Sequence, residues 1–96
     1  MLEIKTVCGN GIGSSLMLKM KIEQLCNENN IEANVESIDS NAAMGANADV
    51  FITVKEFVSI FDKGQKVLVV RSYMNKKKIK EDVLDDLIEI SKKLGG

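Results

Sequence analysis

Residues 8–15 read Cys8-Gly9-Asn10-Gly11-Ile12-Gly13-Ser14-Ser15, and no other stretch of this sequence is as dense in residues with special chemistry. Three glycines fall within five positions. Glycine accepts backbone angles that other residues resist, and it puts no side chain in the way of converging amide N–H groups. Amides that converge at a helix N-terminus make an anion site. The same field favours thiolate over thiol, so a cysteine placed there becomes a nucleophile. Ser14 and Ser15 add hydroxyls, and either suits the cap of a following helix. A phosphate held in this cradle would sit on the sulfur itself. The chemistry implied is phosphoryl transfer through an S-phosphocysteine, driven by positioning and amide dipoles, with no metal and no diffusible cofactor.

Neighbouring motifs fit less well. A dinucleotide fingerprint would need glycine where Ser14 stands, and no Gly-Lys-Ser/Thr follows as in a nucleotide-binding P-loop. Low-molecular-weight tyrosine phosphatases use a Cys-x5-Arg-Ser/Thr loop. Counting from Cys8, the arginine position is Ser14, so the guanidinium fork that would hold transition-state charge is missing. Asp49, a candidate acid, stands at the start of its strand, the wrong end for this loop. A phosphatase-like hydrolase and a non-catalytic anion-binding or thiol redox module remain the alternatives to a phosphoryl carrier.

Composition narrows the field further. Among 96 residues, 13 Lys and Arg balance 14 Asp and Glu for a net charge of −1, which gives no general basic field for nucleic acid. Histidine is absent. That excludes a Ser-His-Asp triad, a Cys-His dyad, a histidine metal site and a phosphohistidine on this chain. Two cysteines do not make a disulfide scaffold. The start, MLEIKTV, has no secretory pattern, and no window approaches the roughly 20 apolar residues that span a bilayer. A cytoplasmic, reducing setting follows.

The loop needs a frame, and the hydrophobic periods supply one. Strand patterns cover 3–7, 34–38, 49–54 and 66–70; the last two are continuous apolar runs of the kind covered on both faces. From Ser14, Leu18, Ile22, Leu25 and Cys26 recur at helical spacing until Asn29-Asn30. Residues 55–62 predict a short helix with Phe57, Ile60 and Phe61 inward, stopped at Gly64. A linker, RSYMNKKK, leads to a last helix over 79–94 with Val83, Leu84, Leu87, Ile88, Ser91 and Leu94 on one face. Its acidic first half and Lys92-Lys93 end complement the helix dipole. The segment SNAAMGANA fits a loop or a weak helical turn equally. This alternation predicts one α/β domain over 1–96: a Rossmann-like, three-layer fold with a four-stranded parallel sheet, helices on both faces and a phosphate loop after the first strand.

Several residues outside the loop have both a functional and a plain reading. Cys26 lies about 18 Å along its helix, too far for a disulfide to Cys8, and reads as a small core residue. Met17 and Met20 suit an adaptable contact patch or simple packing. Lys19 and Lys21 would add positive potential near the loop or stay solvated. Arg71 and Thr53 end strands on the ligand edge. Lys76, Lys77, Lys78 and Lys80 form a basic cluster suited to a solvated turn or to anionic lipid near a membrane protein.

The segment VCGNGIGSSLMLKMKIEQ, residues 7–24, resembles the phosphate loop and first helix of the IIB component of the bacterial phosphoenolpyruvate-dependent sugar phosphotransferase system (PTS), most closely the ascorbate type. The resemblance is strong over 5–25 and rests on element order elsewhere. The KKKIK run after Arg71 departs from the ascorbate pattern. The resemblance implies a relay. A IIA phosphohistidine donates to Cys8, and the phosphocysteine donates to a sugar, best matched by L-ascorbate, held by a IIC membrane transporter. It makes Cys8 the nucleophile and the backbone of Gly9, Asn10, Gly11, Ile12, Gly13, Ser14 and Ser15 the phosphate cradle. It places the chain in the cytoplasm, held at the inner membrane through IIC.

Overall fold

Alternation along the first strand sets the two faces of the sheet. A computed structural model describes residues 2–8, 12–72 and 75–93, with backbone alone at Cys8 and 12–15. Strand β1 (Leu2–Cys8) buries Leu2 and Ile4 in one core cluster and Val7 in another. Strands β2 (Ala33–Asp39), β3 (Val50–Thr53) and β4 (Val67–Val69) complete an all-parallel sheet in the order β2-β1-β3-β4. All four β3 residues are buried, as expected of a strand covered on both faces.

The larger cluster joins the sheet to helices α1 (Ile12–Glu28) and α3 (Lys76–Lys93). Leu18, Ile22, Leu25 and Cys26 form the buried stripe of α1, at the spacing the sequence predicts. Ile79, Val83, Leu84 and Leu87 do the same on α3, with Ile88 partly buried. The opposite face carries α2 (Ser40–Ala43) and a 3-10 helix (Lys55–Ile60). Its small cluster centres on Val7, Ala43 and Phe51, and Phe51 packs on Phe61 with the rings tilted and their centroids 5.1 Å apart. Helices thus cover both faces, as the alternation predicts.

Four expectations need correction. Strand β4 is not covered on both faces: it lies at the edge of the sheet, with Leu68 buried but Val67 only partly so and Val69 exposed. Helix α1 begins at Ile12, so Ser14 and Ser15 lie inside its first turn and neither is the cap. The 55–62 segment is a six-residue 3-10 helix ending at Ile60, short of Gly64. Phe57, Val58 and Ile60 are poor α-helix formers, and Val54 provides no side-chain cap, so the tighter turn wins. Helix α3 begins at Lys76 rather than 79. Asn75 Oδ1 accepts from the Lys78 N–H at 3.1 Å, and Ser72 Oγ accepts from the Asn75 N–H at 3.1 Å. These caps pull Lys76, Lys77 and Lys78 into the first turn, against the helix dipole, so charge complements the dipole only at Lys92 and Lys93. Leu94 lies outside the described residues.

Helix α1 stops where the sequence predicts. Asn30 takes a left-handed φ of 57°, the Ile31 N–H returns to the Cys26 carbonyl at 2.8 Å, and the Asn29 side chain donates to Leu25 O at 2.8 Å. The open segment SNAAMGANA resolves into the one turn of α2. Asp39 caps it, its Oδ1 accepting from the Ala42 N–H at 2.7 Å.

Candidate active site

The backbone that delivers Cys8 is fastened from both sides. In β2, Asp39 stands directly opposite Cys8 in the parallel register. In β3 the ladder to β1 ends at Thr6 and Ile52. One position on, Thr53 Oγ1 donates to the Val7 carbonyl at 3.0 Å, with Thr53 and Val7 both fully buried. Thr53 therefore does not line the site with a free hydroxyl; it holds the peptide just ahead of Cys8. Thr53 O in turn accepts from the Val70 N–H at 2.8 Å, which carries the tie on to the end of β4.

Four positions beyond Cys8, α1 starts. Ile12, Gly13, Ser14 and Ser15 are its first turn, and the first four N–H groups of any α-helix lack an intrahelical acceptor. The helix end that carries the positive half of the dipole thus follows the strand end that carries the cysteine. Leu18, Ile22 and Leu25 fix this helix against the sheet. Gly9, Asn10 and Gly11, the rest of the expected cradle, lie outside the described residues.

Other sequence candidates separate from this point. Arg71 ends on the ligand edge as expected, but α3 occupies its guanidinium. Nε donates to Asp82 at 3.0 and 3.1 Å, Nη2 donates to Glu81 at 3.1 Å, and its backbone N–H also reaches Asp82 at 3.0 Å. These bonds raise the Arg71 pKa above its ordinary value, hydrogen bonding to Asp82 first. Burial pushes the Asp82 carboxyl up, but hydrogen bonds and charge from Arg71 outweigh it, and the net shift is downward. Asp49 sits at the far end of the sheet, bonded to the Glu3 N–H at 2.8 Å. Lys76 pairs with Glu28, at the end of α1 away from the loop. Lys19 pairs with Glu23 at 3.7 Å.

Cys26 is a free, buried thiol. Burial, with help from Glu23, pushes its pKa to about 11, so it stays protonated and inert at neutral pH. Met17 and Met20 are exposed, at 38% and 53%, and Leu16 joins them at 44%. The sequence reading missed Leu16, and it missed Asp39, although an Asp ahead of Ser-Asn-Ala-Ala is a recognisable cap signal. Among the described residues, no group of His, Cys, Asp and Glu could hold a metal ion, and no helix is long and apolar enough to cross a membrane.

Comparison with known proteins decides between carrier and alternatives. The family described as "PTS system, Lactose/Cellobiose specific IIB subunit" matches residues 3–89. The chain belongs to the PTS IIB family. An ascorbate-specific PTS system EIIB component of Mycoplasma pneumoniae is 32% identical over 71 residues, covering 72% of this chain and 75% of that protein. Proteins of the same description from Escherichia coli O157:H7 and Salmonella choleraesuis are 50% identical over 34 residues, 35% of this chain and 34% of theirs. PTS IIB chains are phosphotransferase components of sugar transport that work with IIA and IIC partners. The four-stranded parallel sheet flanked by helices is consistent with that family, and the resemblance carried by residues 7–24 agrees with the family match at the level of the IIB component.

Proposed function

We propose that Cys8 carries the phosphoryl group, that the amides of Gly9 through Ser15 cradle it, and that the sugar served is L-ascorbate. The observation that carries this reading is the placement of Cys8 between a strand end tied down by Thr53 and the N-terminal turn of α1. In the loading step the N–P bond of a IIA phosphohistidine breaks and an S–P bond forms on the Cys8 thiolate, while the imidazole recovers its proton from solvent. In the discharge step the S–P bond breaks, an O–P bond forms on a sugar hydroxyl held by IIC, and the hydroxyl proton leaves to a base. Helix-terminal amides stabilise the charge on the transferring group in both steps. The absence of histidine agrees with a donor on another chain. The ascorbate assignment rests on the relatives' descriptions and on the loop sequence.

In this reading the 96 residues act as a single IIB domain in the cytoplasm, held at the inner membrane through IIC. Leu16, Met17 and Met20, exposed on the turns of α1 next to the loop, offer both partners an adaptable apolar contact. The test is intact mass after incubation with phosphoenolpyruvate, the general relay proteins and IIA. One phosphoryl group should appear on the wild-type chain and none on Cys8→Ser. A phosphorylated Cys8→Ser, or turnover of p-nitrophenyl phosphate by the chain alone, overturns the proposal. Met20→Glu should load several-fold more slowly with its thermal stability unchanged.

A further inference from the structure

Asp39 is the one charged side chain that the sheet register sets beside Cys8, and capping does not explain its charge. The two residues are Cα partners at the ends of β1 and β2, on strands about 4.8 Å apart. Its carboxylate is exposed but held, because Oδ1 caps α2 through the Ala42 N–H at 2.7 Å. Asparagine or serine would cap that turn as well without charge. Among the described residues no cation neutralises it. Lys5 pairs with Glu36, and Arg71 is spent on Asp82 and Glu81.

We infer that the Asp39 carboxylate raises the phosphoryl-transfer potential of Cys8 by standing one strand away from it. This rests on the reading of Cys8 as the carrier. A phosphocysteine adds negative charge to the site relative to a thiolate, and a fixed carboxylate on the partner residue of the neighbouring strand disfavours that added charge. The bonds made and broken in each step are those given above; Asp39 enters neither and shifts only the balance between them. A carrier that holds its load too firmly cannot pass it on. Asp39 keeps the S–P bond ready for discharge, and it works against the amide cradle that promotes loading.

The test compares wild type, Asp39→Asn and Asp39→Glu. The first retains the cap and loses the charge, whereas the second retains the charge. With a IIA protein that loads the wild-type chain, the ratio of phosphorylated to free chain at equilibrium is read by intact mass. Asp39→Asn should raise that ratio about three- to tenfold at low salt, and the gain should shrink in 1 M KCl, where the screening length falls to about 3 Å. Asp39→Glu should stay within about twofold of wild type. An unchanged ratio in Asp39→Asn, or a gain that salt leaves intact, overturns the inference. If the wild-type chain never loads, it is the carrier reading that fails. Alkylation of Cys8 by iodoacetamide at fixed pH then decides on Asp39 alone. Asp39→Asn should react about three- to tenfold faster at low salt, and equal rates would sink the idea.

Discussion

Cys8 and Cys26 are the same residue type in two regions of one fold, and the proposed function gives them opposite chemistry. Cys8 closes a strand and is followed within four residues by the first turn of α1. Cys26 lies at the other end of that helix, about 21 Å on, inside the buried stripe that seats it on the sheet. Its carbonyl accepts the return bond from Ile31 that ends α1. Apolar surroundings and Glu23 disfavour its thiolate. The start of a helix favours a thiolate, and the packed interior suppresses one. On the proposed function, what separates a nucleophile from a core residue is the end of α1 at which the cysteine sits.

The sharpest way to break this comparison is to exchange each sulfur in turn. Cys8→Ser should lose phosphoryl acceptance entirely, while Cys26→Ala should keep it at the wild-type rate, both read by intact mass after incubation with the charged relay. Acceptance that follows Cys26 instead would reverse the assignment. The next largest effect concerns what holds Cys8 in place. Thr53→Val keeps the shape of the side chain but leaves the buried Val7 carbonyl without its donor. It should cost about 1–3 kcal/mol in denaturant unfolding. Thr53→Ser, which keeps the hydroxyl, should recover most of that loss. A Thr53→Val variant as stable as wild type would show that the end of β1 needs no such tie.

The order of elements and the two core faces are legible in the sequence because each rests on a local signal. Leu18, Ile22, Leu25 and Cys26 keep a helical period, and the run around Phe51 is an unbroken apolar strand buried throughout, whereas the equally apolar run around Leu68 became an edge strand, a place in the sheet that its composition does not reveal. What the sequence hides is long-range. Nothing near Arg71 says that Glu81 and Asp82, in the second turn of α3, will occupy its guanidinium. Nothing near Cys8 says that Asp39 will stand opposite it, because register depends on how two strands slide together. The early start of α3 was hidden for another reason. Three lysines are a poor first turn for the dipole, and the Asn75 and Ser72 caps override that preference.

A smaller effect tests the buried half of the comparison through pH. The folded Cys26 pKa of about 11 stands above the 9.0 of an ordinary thiol. Below pH 9 both folded and unfolded chains keep the proton. Between pH 9 and about 11 only the unfolded thiol gives it up, so stability falls as pH rises through that window. The loss should reach about 1–3 kcal/mol at the top of the range. Cys26→Ala should unfold with a flatter alkaline profile, measured by urea midpoints from pH 8 to 11. Parallel profiles would mean that Cys26 is wetter than its packing indicates.

The smallest expected effect asks whether Arg71 belongs to the loop's region or to the scaffold. Asp82 accepts from both the backbone N–H and the Nε of Arg71, and its carboxyl is held below the ordinary range despite the burial that pushes the other way. A carboxyl depressed in the folded state stabilises above its unfolded pKa, and that contribution is lost as pH falls through the folded value. Asp82→Asn should therefore unfold with about 0.5–1 kcal/mol less stability at pH 7, within the range of surface ion pairs. The gap to wild type should close as the pH drops below 4. Phosphoryl acceptance at Cys8 should not change, because Arg71 is engaged with α3 rather than with the loop. If freeing Arg71 in this way altered the loading rate, a guanidinium two strands from Cys8 would be contributing to the site, and the line drawn between reactive edge and inert scaffold would have to move to include β4.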